Sequence, residues 1–292
     1  MILVFGSINV DVLVPVPLLP QPGETVIGGD YGLLPGGKGA NQALAARRAG
    51  AAVMMAGAVG ADAFAGPALQ SLRSDGVDLG LVRRVDQPTG CAAIMVSARG
   101  ENLIAVASGA NRAVAAASVP DSVLGDETIL VCQMEVPAAE NWALIRRARA
   151  AGARTVLNLA PAAPIDPALF AEIDILVANQ VEAAALGADP AEFARRLRQA
   201  LVVTCGGAGS TAFLADGGRV DTPALAITPI DTTGAGDTFV GVLAAGLDRG
   251  LALTEALRQA SAAAGLACLA HGAQAAMPDR AAIEVAAARL PD

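Results

Sequence analysis

The segment DTTGAGDTF, running from Asp231 to Phe239, sets two glycines and a carboxylate immediately ahead of an apolar helical pattern. Gly234 and Gly236 allow backbone N–H groups to converge, and a helix starting near Gly236 turns its positive end toward the same point. A phosphate-sized anion fits there without any basic side chain. Asp237 then has two readings. It is a first-turn acid that stabilises the helix, or a general base that takes the proton of a hydroxyl attacking phosphorus. Residue types alone leave both open.

A second glycine loop, Gly36-Gly37-Lys38-Gly39-Ala40-Asn41, opens a helix through Gln42 to Ala49. Gly32 and Gly37-Lys38 have the spacing of a Walker A loop, yet Gly39 stands where that loop needs a hydroxyl for magnesium. The preceding GGDYGLLP does not read as a buried strand either, so the P-loop reading fails. Of the 20 basic residues 19 are Arg, and Lys38 is the only lysine. A compact ammonium on a flexible stem differs chemically from a planar fork, which makes Lys38 a candidate site residue; a lysine that merely falls in a glycine-rich turn is the alternative. Asn179-Gln180-Val181-Glu182 follows the apolar run DILVA, placing Asn179 and Glu182 about one helical turn apart at a strand's C-terminal end. Hard oxygens suit magnesium, and a helix-capping box is the competing use. Asn9 and Asp11 interrupt an apolar run, where a polyol ligand would satisfy them, as would a turn at Asn9. His271, the single histidine, has no Ser or Cys motif around it and receives no role.

The elements that must carry these residues follow from periodicity. ILVFGSINVDVLV reads as a buried strand, a Gly-Ser break and a second extended run; with the β-rich segments 91–96 and 102–107 it reads as one sheet. From about residue 128, apolar runs alternate with helical stretches, the pattern of a parallel sheet covered by helices. A hairpin turn is expected at Asp216-Gly217-Gly218, and helices at about 235–249, 253–270 and 279–290. The expected fold is α/β: one domain over residues 1–292 with a small β appendage built from the first 110.

Composition narrows the function. An apolar content of 54% and mean hydropathy of +0.51 exclude disorder, and a net charge of −8 excludes a broad basic surface for nucleic acid or anionic lipid. Gln259 to Pro278 is uncharged, about the length that spans a bilayer, but its Ala, Gly, Ser and Gln content reads as a buried helix. MILVFGSINVDVLVPVPLL has no Lys or Arg ahead of its apolar run and contains Asp11, so no secretory signal is read and a cytoplasmic location is expected. Cys91, Cys132, Cys205 and Cys268 form no paired motif and read as reduced, structural thiols.

Taken together, GSINVD at 6–11, PGETV at 22–26, GGKGANQA at 36–43, NxxE at 179–182 and DTTGAGDTF at 231–239 resemble the ribokinase, or phosphofructokinase B, family of carbohydrate kinases. TG at 89–90, GEN at 100–102, SGAN at 108–111, NLAPA at 158–162, TCGGAG at 204–209 and GAQ at 272–274 extend the resemblance, in family order, over nearly the whole chain.

The resemblance implies a three-layer α/β/α fold with a small β lid, from segments within about 10–35 and 90–110, that closes over a sugar and makes a homodimer contact. It implies ATP as phosphoryl donor, with Asp237 as general base and the amides of Gly234, Ala235 and Gly236 as anion hole. Asn9, Asp11, Gly37, Lys38, Asn41 and Glu135 match positions that hold sugar hydroxyls. Asn179, Thr204, Cys205, Gly206, Gly207, Ala208, Gly209, Gly236 and Ser261 match the nucleotide side, and Glu182 would act on Mg2+ through water. A K+ site would use Asp231, Thr233, Ala267, Ala270, Gly272 and Ala276, the last departing from the family's hydroxyl residue. The implied reaction is phosphorylation of D-ribose at O5; another sugar or a nucleoside on the same scaffold, and a sugar-binding protein without turnover, are the alternatives.

Overall fold

A computed structural model describes residues 1–291. Its strands, in chain order, are Ile2–Phe5 (β1), Asn9–Val16 (β2), Gly32–Gly36 (β3), Val53–Gly60 (β4), Asp78–Val85 (β5), Gly90–Ser97 (β6), Asn102–Ala107 (β7), Ile129–Gln133 (β8), Arg154–Asn158 (β9), Ile175–Asn179 (β10), Ala200–Thr204 (β11), Ser210–Leu214 (β12) and Arg219–Thr222 (β13). Nine of them form one sheet in the order β13-β12-β11-β10-β9-β8-β1-β4-β5. From β5 to β11 every pairing is parallel, and β12 and β13 close the edge as an antiparallel hairpin.

β1 shows why the apolar runs do not alternate. Ile2 and Val4 enter one core layer while Leu3 and Phe5 enter the other, so a strand covered on both faces needs apolar residues throughout. The first layer packs the sheet against helices Lys38–Arg48, Ala235–Asp248 and Leu253–Ala267; the second packs it against Ala138–Ala150.

Strands β3, β2, β6 and β7 form a separate four-stranded sheet in that order. The expectation that the N-terminal runs share one sheet is therefore corrected. Gly6-Ser7 breaks the ladder, β1 stays at the centre of the large sheet, and β2 crosses into the small one beside β6. The physical reason is burial: every residue of β1 is buried, whereas β2 is mostly half-buried and β7 exposes all six residues.

The uncharged stretch Gln259 to Pro278 divides between the end of the Leu253–Ala267 helix and an irregular loop. Among the described residues no helix is long and apolar enough to cross a membrane. All four cysteines are free.

This topology gathers chemistry at one edge. Asn158, Asn179 and Thr204 end β9, β10 and β11; Glu135 follows the end of β8; and Asn9 begins β2 just beyond β1. The C-terminal edge of a parallel sheet is where open α/β folds place ligands.

Candidate active site

Two cavities meet at that edge. One, of about 660 Å³, is lined by Asn9, Lys38, Ser108, Asn111, Arg112 and Glu135 among others. The other, of about 230 Å³, is lined by Lys38, Asn158, Asn179, Glu182, Thr204, Gly234, Gly236 and Asp237 among others. Lys38 borders both.

The larger cavity is built around the chain crossing at Gly6-Ser7-Ile8. Gly37, with φ of +89°, precedes the Lys38–Arg48 helix, and a Cβ there would lie 2.8 Å from the Asn9 nitrogen. Only glycine lets the helix start sit so close to the crossing. The Ala40 amide donates to the Ser7 carbonyl at 2.9 Å, fixing that approach. Glu135 serves the same helix end: its Oε2 accepts from the Ser7 hydroxyl at 2.6 Å and from the Lys38 amide at 3.0 Å. A carboxylate at a helix N-terminus takes up orphan N–H groups and faces the favourable end of the dipole. Asn9 is 4% exposed, and its Oδ1 accepts from Asn111 at 2.7 Å. Asp11 lies two residues further along β2, hence on the same face. Burial, with Glu135 and Asp237 adding like charge, pushes its carboxyl up to about 6.

Asp237 sits in the first turn of the Ala235–Asp248 helix and is 7% exposed. Its Oδ2 accepts from Asn41 Nδ2 at 2.9 Å and its Oδ1 from Gln42 Nε2 at 3.0 Å. Burial raises its pKa above the ordinary carboxylate value, opposed by the Lys38 ammonium and by these two amides. Lys38 is held protonated chiefly by Asp237, against its own burial. Gly234, with φ of +75°, precedes this helix, and a Cβ there would approach the Ala273 Cβ to 2.7 Å. The Ala235 amide reaches the Thr232 carbonyl at 3.3 Å, while Gly234 and Gly236 line the smaller cavity.

On the far side, Asn179 and Glu182 form a capping box. The Glu182 amide donates to Asn179 Oδ1, and the Asn179 amide donates to Glu182 Oε2, both at 2.8 Å. The structural use weighed for this pair is thus present, and it fixes Glu182 at the cavity wall. The 204–209 turn is closed by the Cys205 amide donating to the Gly209 carbonyl at 2.7 Å, which leaves Gly206, Gly207 and Ala208 exposed at the ends of β10 and β11. Asp231 accepts from the Thr233 amide and from the Gly272 amide, each at 2.9 Å. Burial works to raise its pKa, but these backbone donors prevail and hold it below the usual range. That bond joins Asp231, Thr233 and Gly272 into one loop pair, next to Gly234.

The profile of the pfkB family carbohydrate kinases matches residues 1–280. This chain belongs to the pfkB carbohydrate kinase family. The ribokinase of Lactococcus lactis is 35% identical over 281 residues, covering 94% of this chain and 93% of that protein. Among solved structures, the ribokinase of Thermotoga maritima superposes with a TM-score of 0.91 at 28% identity, and 98% of each chain is covered. The ribokinase of Arabidopsis thaliana, solved with ribose and ATP, gives 0.86 at 30% identity, again over 98% of each chain.

Within this pfkB-family site, several expected residues line neither cavity, Asp11, Gly37, Asn41 and Ser261 among them. Ser261 is 6% exposed and donates to the Pro223 carbonyl at 2.6 Å, anchoring the irregular segment that follows β13. Asn41 is also buried, with its Nδ2 on Asp237 and its Oδ1 accepting from Gln274 at 3.0 Å. Several participants escaped the motif reading. Gln42 bonds both Asp237 and Asn158, Gln133 donates to Gln42, and Ser7 ties Glu135 to the helix start. Each is a polar residue inside or beside an apolar run, the same signal that singled out Asn9 and Asp11.

Proposed function

We propose that this chain is an ATP-dependent ribokinase that transfers the γ-phosphoryl group to O5 of D-ribose. The observation that carries the reading is that Lys38 borders both cavities and shares the smaller one with Asp237, whose charge acts on it. An acceptor site and a phosphate site are thereby joined at one ammonium and one carboxylate.

The sugar occupies the larger cavity, with its hydroxyls toward Asn9, Asp11 and Glu135. Asp237 accepts the O5 proton as that oxygen bonds to phosphorus and the bond to the β-phosphate breaks. The protein forms no covalent intermediate. Lys38 sits where charge develops on the transferring group, and the Gly234 and Gly236 amides at the helix start meet the same anion. The γ-phosphate lies in the smaller cavity, and the nucleotide extends along the exposed 204–209 turn. Closure of the small sheet over the sugar would exclude water as a competing acceptor.

Mg2+ suits this site as an ion that arrives on the nucleotide. Among the described residues no cluster of three or more His, Cys, Asp or Glu is arranged for a metal, and magnesium on phosphates needs few protein carboxylates. Glu182, fixed by its cap at the cavity wall, would hold that ion through water; the bound ion would neutralise charge on the phosphates. K+ suits the Asp231 loop, where an ionised carboxylate stands beside the backbone of Thr233 and Gly272. Ala267, Ala270 and Ala276 would contribute only carbonyl oxygens.

The small sheet also supports a homodimer. Leu34, Ile104 and Val106 share one face of that sheet and are each at least 39% exposed. An apolar surface of this kind on a soluble fold marks an interface, and a second copy of the same sheet is its proposed partner.

The reading is tested with magnesium-ATP and a panel of ribose, deoxyribose, fructose and adenosine. Ribose should give the highest kcat/KM, with phosphate on O5 of the product. A preference for adenosine would move the assignment to a nucleoside kinase.

A further inference from the structure

Asp237 is held by two chains of amides that run toward it from opposite sides. On one side Gln133 Nε2 donates to Gln42 Oε1 at 2.8 Å, and Gln42 Nε2 donates to Asp237 Oδ1 at 3.0 Å. On the other, Gln274 Nε2 donates to Asn41 Oδ1 at 3.0 Å, and Asn41 Nδ2 donates to Asp237 Oδ2 at 2.9 Å. All four amide residues are buried, and they come from three separate parts of the chain: β8, the Lys38–Arg48 helix and the loop after Leu253–Ala267.

We infer that Gln133 and Gln274 are positioning residues for phosphoryl transfer: they fix which end of Gln42 and Asn41 faces Asp237, and so aim four amide dipoles at one carboxylate.

The direction of each chain follows from its last member. An ionised carboxylate has no proton to give, so Gln42 and Asn41 must present N–H to it, which turns their oxygens outward. Those oxygens then require donors, and Gln133 and Gln274 must present N–H in turn. Their own oxygens are left pointing away from the site. Gln133 Oε1 and Gln274 Oε1 are buried and have no hydrogen-bond partner among the described residues. The same defect at the far end of both chains is the signature of a polarity imposed from Asp237. A flip of either outer amide would set oxygen against oxygen at the next link. Gly6 fits the picture, since a Cβ there would lie 1.8 Å from Gln133 Oε1.

The arrangement goes beyond filling a core. A buried amide with one unpartnered oxygen costs stability, and apolar side chains in place of both amides of a chain would not incur that cost. What the amides supply is orientation of the carboxylate. With one donor on each oxygen, the plane of Asp237 is fixed and its remaining lone pairs are left for the acceptor hydroxyl. The charged groups that act on Asp237 alongside the amides are Lys38, Glu135 and Asp11.

This inference rests on Asp237 being the base, and the test separates the two claims. Gln133→Met and Gln274→Met would be made singly, and each combined with Asp237→Asn, then assayed for kcat, both KM values and thermal melting. Each single variant should lose about tenfold in kcat, the scale of a weakened hydrogen bond to a charged group. Both KM values should stay within about twofold and Tm should change little, because each variant removes one unpartnered glutamine oxygen and leaves one on Gln42 or Asn41 in its place. In the Asp237→Asn background the same substitutions should cost nothing further, since the group they position is gone. The inference is overturned by unchanged kcat in both single variants, by an equal loss persisting in the Asp237→Asn background, or by a loss that follows a lowered Tm. The two variants lie in different elements, so one that does not fold leaves the other to decide. An Asp237→Asn enzyme of near-normal activity overturns the base assignment itself, whatever the glutamine variants do.

Discussion

Asn41 Nδ2 donates to Asp237 Oδ2 at 2.9 Å across 196 positions of sequence. The bond ties the two glycine-rich motifs into one site: the loop bearing the only lysine and the helix start bearing the buried carboxylate. It places Asn41, expected to hold a sugar hydroxyl, against Asp237. Lys38 and the two neutral donors all favour the ionised form of Asp237, against the burial that raises its pKa.

Lys38→Arg keeps the positive charge but replaces a compact ammonium with a planar fork. Both cavities border this residue, so the larger group should crowd one of them. A loss of at least about tenfold in kcat/KM for the sugar is expected, the scale of one misplaced interaction with the transferring group. Kinetic constants equal to the parent's would remove the argument from lysine scarcity.

Asp11 gives a pH dependence with a definite sign. Its carboxyl titrates near 6 in the folded chain against an ordinary value of 3.8. The folded state therefore favours the protonated form; that stability is fully present below the ordinary value and is lost as pH rises through about 6. Asp11→Asn should raise Tm at pH 8 by the equivalent of about 3 kcal/mol before solvent screening, and should give no gain near pH 4. Sugar hydroxyls favour the ionised acceptor, so KM for the sugar should rise in the parent as pH falls through about 6. Melting curves at the two pH values check the first part; a gain at pH 4 as large as at pH 8 would refute it.

Asp237 imposes a second pH limb, on kcat. A base must be ionised to act, and burial holds this one above the ordinary carboxylate range. Turnover should fall as pH is lowered, with the midpoint above that of an exposed aspartate. A kcat profile flat down to the ordinary carboxylate range would show that no such group titrates in the transfer step.

Ile104 stands 52% exposed on β7, where every residue is exposed. Ile104→Glu should convert a dimer to monomers with little change in Tm, because about half of the side chain is open to solvent and its cross-strand neighbour Ile94 is itself part-exposed. Light scattering at micromolar concentration reads the outcome. Parent and variant of equal mass would place any dimer contact elsewhere.

Much of this site is legible before folding because its chemistry needs particular types at particular spacings. Gly234, Gly236 and Asp237 mark a helix start at the wall of a cavity, and Gly37 with Lys38 marks a second close approach. The amide network around Asp237 was not legible. Gln133 lies at the end of TILVCQM and Asn158 within RTVLNLA, each a lone polar residue in a strand run. Nothing local reveals that they face one another, because they meet through Gln42, on a helix 91 positions from the first and 116 from the second. The fold shows the same division. Periodicity marks the runs from residue 128 onward, whereas β4 reads VMMAGAVG, too rich in Ala and Gly to signal a strand. The Gly6-Ser7 break is visible, but its sending β2 into a different sheet depends on burial that only the assembled core decides.

The most direct test of the site's central claim is Asp237→Asn, assayed for ribose phosphorylation and, separately, for nucleotide binding by calorimetry. The substitution keeps size and can still hydrogen-bond Asn41 or Gln42, but cannot take a proton. Turnover should fall by about 100-fold or more with nucleotide affinity nearly unchanged. A variant that retains more than about a tenth of parental kcat, against that ~10²-fold loss expected for a missing general base, would contradict the account.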